Sequence, residues 1–102
     1  MIRHIVMWKL RPDAAPDSAA ELKRRLESLV GVVPELLSCE VGLNAGGDRN
    51  AYDLVLTADF ADPDALERYR VNPDHRKVVE FVRGVSAARA AVDYVLPEER
   101  SE

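Results

Sequence analysis

The stretch from Ile2 to Lys9 (IRHIVMWK) carries apolar side chains on both of its faces, and this constrains the fold more than any other feature of the sequence. Its β-branched and aromatic residues read as a strand. Successive side chains of a strand point to opposite sides. Ile2, His4, Val6 and Trp8 therefore share one face, and Arg3, Ile5, Met7 and Lys9 share the other. Helices can cover one face. The second also needs cover, and a partner subunit is the simplest source of it.

The rest of the chain supplies the matching elements. Arg11 to Pro16 is a turn-rich connection. Asp17 or Ser18 can cap a helix, with Glu21 three residues after Ser18 as in a capping box. Leu22, Leu26, Leu29, Val30 and Val33 recur at helical spacing, and Gly31 and Pro34 bracket the helix end. Leu37 to Asn44 alternates as a second strand, Ala45 to Asn50 is a loop, and Tyr52 to Phe60 is a third strand. Asp62-Pro63 opens a helix bearing Ala65, Leu66 and Tyr69 on one side. Asn72-Pro73 breaks it, because the residue before proline avoids the helical region. A second helical piece then presents Val78, Val79, Phe81 and Val82, with Gly84 as its stop. Ala90 to Leu96 is the last strand.

The order strand, helix, strand, strand, helix, strand is the ferredoxin-like βαββαβ pattern. It predicts an α+β subunit, a four-stranded antiparallel sheet with its helices on one face. A single such sheet leaves one face bare, and here that face is too apolar to be wet. Two sheets packed face to face, a dimeric α/β barrel, solve the problem. At 102 residues the chain has room for one domain, expected over residues 1–97, with 98–102 a charged tail.

Composition narrows the function classes. The 14 basic and 18 acidic residues are interspersed and no basic stripe appears, which argues against nucleic acid. Lys23-Arg24-Arg25 reads as the wet face of a helix. The apolar opening is interrupted by Arg3, His4 and Lys9, lacks the shape of a signal peptide and is too short to span a membrane. A single cysteine, Cys39, cannot form an internal disulfide, which suits a reducing, cytoplasmic setting. It reads as a small core residue rather than a nucleophile. The two histidines have no metal-site spacing, and no metal or cofactor is expected.

Tyr69 and His75 are the foremost candidate site residues. On one unbroken helix, at about 100° per residue, they would point well apart. The break at Pro73 lets both converge on a cavity beneath the helix, with His75 in the first turn of the second piece. The positive end of that helix disfavours imidazolium, and a neutral imidazole is a usable general base. His4 shares its strand face with Val6 and Trp8 and can meet Tyr69, His75 or a ligand. Each residue also has a structural role open to it: Tyr69 as core aromatic, His75 as a capping or packing residue, His4 as a strand residue. Asp53 or Asp93 could assist, although alternation sets them on the faces opposite Leu54 and Tyr94.

The ordered set Ile2-Arg3-His4-Ile5-Val6-Met7-Trp8-Lys9-Leu10, Val41-Gly42-Leu43-Asn44, Tyr52-Asp53-Leu54-Val55-Leu56, Phe60, Leu66, Tyr69, Asn72-Pro73-Asp74-His75 and Asp93-Tyr94 resembles the stress-responsive A/B barrel (Dabb) family over nearly the whole chain. The resemblance implies a ferredoxin-like subunit paired into a barrel. The family includes plant stress proteins, polyketide cyclases and many bacterial proteins, so membership leaves function open. In its cyclases the residues matching Tyr69 and His75 form the acid/base pair, with the first-strand histidine nearby. By that resemblance His75 removes a proton next to a carbonyl and Tyr69 holds the oxygen as charge develops. Asn72 stands where the family usually has a histidine, and Leu54 where some cyclases carry another.

The resulting expectation is a homodimer whose cavity takes a small hydrophobic or aromatic ligand. Tyr69, His75 and His4 are its candidate catalytic residues, and Trp8, Leu54, Asn72 and Val6 its candidate binding residues. Two rivals stand beside it. One is a non-catalytic stress or assembly protein, which predicts no enclosed cavity beside Tyr69. The other is a monooxygenase-like member of the same architecture, by analogy of fold alone.

Overall fold

A computed structural model describes residues 1–97; the tail expected at 98–102 lies outside the described residues. In chain order the elements are β1 (Ile2–Leu10), α1 (Ser18–Glu27), β2 (Ser38–Leu43), β3 (Leu54–Phe60), α2 (Pro63–Val71), α3 (Pro73–Val85) and β4 (Ser86–Val95). The four strands form one sheet in the order β2-β3-β1-β4, with every neighbouring pair antiparallel. This is the ferredoxin-like α+β fold that the sequence pattern predicts.

The helices lie on one face of the sheet. On β1 they bury Ile2, His4, Val6 and Trp8, and on β3 Leu54, Leu56, Ala58 and Phe60. The other face carries Arg3, Ile5 and Met7 from β1, paired in register with Tyr94, Val92 and Ala90 of β4. Met7 is 39%, Tyr94 40% and Val92 54% exposed in the isolated chain. This is the face the sequence required a partner to cover.

Several strand ends shift by one or two residues from the sequence reading, β3 starting at Leu54 and not Tyr52, and three larger differences stand out. Helix α1 stops at Glu27, not near Val33. The next turns close by tighter bonds, Leu29 N to Leu26 O and Val30 N to Glu27 O, and Gly31 takes φ +87°, which turns the chain left-handed. Leu29 and Val33 stay buried while Val30 faces out, so apolar spacing outlasted the helix. The capping box does not form: Asp17 is the cap residue, without a side-chain cap bond, and the Glu21 carboxylate accepts from Arg24 and Arg25 instead. Charged partners one turn on outcompete the neutral backbone amide.

The third difference bears on the site. Helix α3 runs through Gly84 to Val85, and β4 begins at once with Ser86, four residues before the expected start at Ala90. By propensity the alanine-rich SAARA run favours a helix. Pairing with Trp8, Lys9 and Leu10 of β1 decides it as a strand. Tertiary hydrogen bonding overrides a weak local preference.

The α2–α3 break forms as the sequence predicts. Asp62 accepts from Ala65 N at 2.8 Å and Pro63 starts α2. Asn72 ends α2 and caps α3, its Oδ1 accepting from Asp74 N at 2.8 Å and His75 N at 3.4 Å. Replacing Asn72 with alanine is expected to cost about 1 kcal/mol, read in a thermal melt as a Tm lower by about 4 to 8 °C. An unchanged Tm would mean that the cap does not hold the break. No helix among the described residues is long and apolar enough to cross a membrane.

Candidate functional site

Between the helices and the β1–β4 half of the sheet lies a cavity of about 480 Å³. Tyr69 enters it from α2, His75 from the first turn of α3, and His4 and Trp8 from β1. The break at Pro73 brings the rings of Tyr69 and His75 to 3.9 Å between centroids, tilted by 33°. His4 meets Tyr69 edge-on at 6.4 Å. Phe60 backs Tyr69 at 4.9 Å and fixes its ring in the core.

Of the residues expected in the site, Tyr69, His75, His4, Trp8 and Val6 line this cavity. Leu54 and Asn72 do not. Leu54 is buried on β3 and borders a second hollow with Met7, Leu43 and Tyr52. Asn72 turns its side chain back to cap α3.

Asp93, which alternation alone counts against, adjoins the site. It does lie opposite Tyr94, but Asp93's side is the one the helices cover. Its position is in register with His4, and its Oδ1 bonds His4 Nδ1. Its other oxygen accepts from Arg70 Nη2 at 3.0 Å. The chain Arg70–Asp93–His4 thus fixes the His4 ring, leaving its other edge to the cavity. Asp53 stays structural: its Oδ2 accepts from Leu10 N. The reading also missed Arg70, Arg83 and Arg89, all on the cavity wall. A lone arginine on a helix or strand gives no sequence signal beyond a solvated face.

Burial sets the protonation of the central pair. Removal from water lowers the His75 pKa from its ordinary value of 6.5, and the nearby His4 and Arg70 add to this, while the carbonyls of Arg70 and Tyr69 oppose it. His75 is therefore neutral at neutral pH. Its Nδ1 is buried with no hydrogen-bond partner among the described residues. Burial raises the Tyr69 hydroxyl well above the usual phenol range, so it remains a proton donor. Cys39 is likewise pushed up to about 11, chiefly by burial, and stays a thiol. Among the described residues no three His, Cys, Asp or Glu side chains gather to hold a metal ion.

The lowered His75 pKa has a sign for stability. The unfolded chain binds this proton more readily than the folded one, so the contribution is intact above pH about 6.5 and is lost as the pH falls through and below it. His75→Gln should therefore lose less Tm than the parent between neutral and mildly acidic buffer. Parallel Tm-against-pH curves for the two proteins would remove His75 from the acid response.

A four-stranded ferredoxin-like sheet with a cavity under its helices defines an α+β class whose solved members include dimeric proteins. Within that class the chain belongs to the stress responsive A/B barrel (Dabb) domain family, whose family model matches residues 2–96. A dimeric ferredoxin-like protein of Thermobifida fusca is 29% identical, with 93% of this chain and 90% of that chain covered and a TM-score of 0.84. A hydroxynitrile lyase of Passiflora edulis is 12% identical, over 98% of this chain and 96% of that one, with a TM-score of 0.83. An antibiotic biosynthesis monooxygenase is 16% identical, over 96% and 100%, with a TM-score of 0.76. The last two likenesses are of fold alone. No curated protein matches the sequence.

Proposed function

We propose that the protein is a cytoplasmic homodimer in which each subunit binds a small carbonyl compound and catalyses proton transfer next to the carbonyl, as in cyclisation of the polyketide type. The observation that carries this is the Tyr69–His75 pair, 3.9 Å apart on a cavity wall facing His4. Neutral His75 takes the proton from the carbon beside the carbonyl. The electron pair moves to an enolate whose oxygen accepts a hydrogen bond from Tyr69. In a cyclisation that enolate carbon attacks a second carbonyl of the same chain, forming the carbon–carbon bond, and the resulting alkoxide recovers the proton from His75. This chemistry draws on side chains alone. The homodimer is supported by the apolar outer sheet face and by the dimeric neighbours.

Proton NMR in deuterium oxide tests the reading, with simple β-keto esters as probes. The protein should accelerate deuterium uptake at the carbon between the two carbonyls. Uptake no faster than in buffer, across aromatic and alkyl β-keto esters, would sink the catalytic reading.

A second reading is a cavity that binds without turnover. One observation favours it: Asn72, at the position of a family histidine, spends its side chain on the cap of α3. An assembly protein with no ligand at all is disfavoured by the cavity beside Tyr69.

A further inference from the structure

The cavity wall holds three arginines, Arg70, Arg83 and Arg89, and no aspartate or glutamate. The chain as a whole has more acidic than basic residues, 18 against 14, so an all-cationic lining runs against its balance. Arg70 is engaged by Asp93. Arg83 and Arg89 form no ion pair with any described residue. They approach from two elements. Arg83 is in the last turn of α3, and Arg89 is on β4 in register with Trp8. Because β4 follows α3 without a loop, the two stand on either side of one sharp turn.

Trp8 supplies the second, independent observation. It is 6% exposed, it lines the cavity, and its Nε1–H meets no acceptor among the described residues. A buried donor left unmatched is costly, and an acceptor oxygen on a ligand relieves it. Beyond Trp8 the walls are apolar, with Val6, Leu26, Leu56, Val79 and Val82.

We infer that the cavity takes a small carboxylate with an apolar aromatic or alkyl body, its carboxylate paired with Arg83 and Arg89 and its body laid against Trp8. This rests on the cavity being the ligand site and adds the class of ligand. Guanidinium groups hold a carboxylate through paired charge-assisted hydrogen bonds. The anion end is apart from His4, which meets the Tyr69 ring. Trp8, in register with Arg89, and His4, in register with Asp93, are four residues apart on β1, a span of about 13 Å. The carboxylate thus anchors one end and leaves the other end to Tyr69 and His75.

Trp8 is the chain's only tryptophan, so its fluorescence reports on the cavity. The test titrates the full-length protein with hydrocinnamate and with its neutral isostere hydrocinnamamide. Hydrocinnamate should quench Trp8 with about tenfold higher affinity, or more, than the amide. Raised salt should narrow the gap. In the Arg83→Gln/Arg89→Gln double variant the gap should close, chiefly through loss of acid affinity; both side chains are exposed, so the fold should tolerate the change. Equal affinity for acid and amide in the parent overturns the inference. So does an acid preference that survives in the double variant, or quenching by neither compound at millimolar concentration. Tyr69→Phe should keep the acid preference. Failure of deuterium uptake alongside a clear acid preference would sink the catalytic reading alone. Amide binding without acid preference would sink the carboxylate inference alone.

Discussion

His75→Ala should slow deuterium uptake beside the carbonyl by about 100- to 10,000-fold, the range over which a positioned general base acts. Tyr69→Phe should slow it by about 100-fold or more, as for loss of one donor to a developing oxyanion. The two variants differ in pH behaviour. With Tyr69 removed, His75 remains the base, so the residual rate should still fall in acid, below the ordinary histidine pKa of 6.5 from which burial lowers it. With His75 removed, that limb should vanish. Tyr69→Phe keeps the ring that packs on Phe60 at 4.9 Å, so loss of rate there reports the hydroxyl and not the core. A His75→Ala protein with parent-like uptake would show the imidazole to be a packing residue of α3.

The second large effect concerns the outer face of the sheet. Met7→Lys combined with Val92→Lys should raise the dimer dissociation constant by about 100-fold or more, since each lysine would enter a dry interface unpaired. Both positions are on the side the helices leave bare, at 39% and 54% exposure. Sedimentation equilibrium at micromolar concentration should show dimers for the parent and monomers for the variant. The acid-over-amide preference of the cavity should persist in the monomer, because the cavity lies on the opposite face of the sheet. A parent protein that sediments as a monomer would end the barrel reading. Parent-like dimers in the double lysine variant would place the interface elsewhere.

The sequence by itself determined which residues share a face. Alternation along Ile2–Leu10 places His4, Val6 and Trp8 together and demands cover for Ile5 and Met7, because a strand permits only two directions for its side chains. The Asn72-Pro73 pair likewise dictates a break, since proline lacks the amide a helix needs and restrains the residue before it. Tyr69 and His75 could be brought together on paper for that reason. Register was beyond reach, because it depends on which strands pair, and a slip of one residue exchanges the faces. Only the β1–β4 pairing set Asp93 against His4 and showed that Asp93, not Tyr94, lies under the helices. The same pairing drew Ser86–Arg89 into the sheet against its helix propensity and so brought Arg89 beside Trp8. The apolar face of β1 was thus legible locally, whereas Asp93 beside His4 and Arg89 beside Trp8 were decided by pairing between strands at opposite ends of the chain.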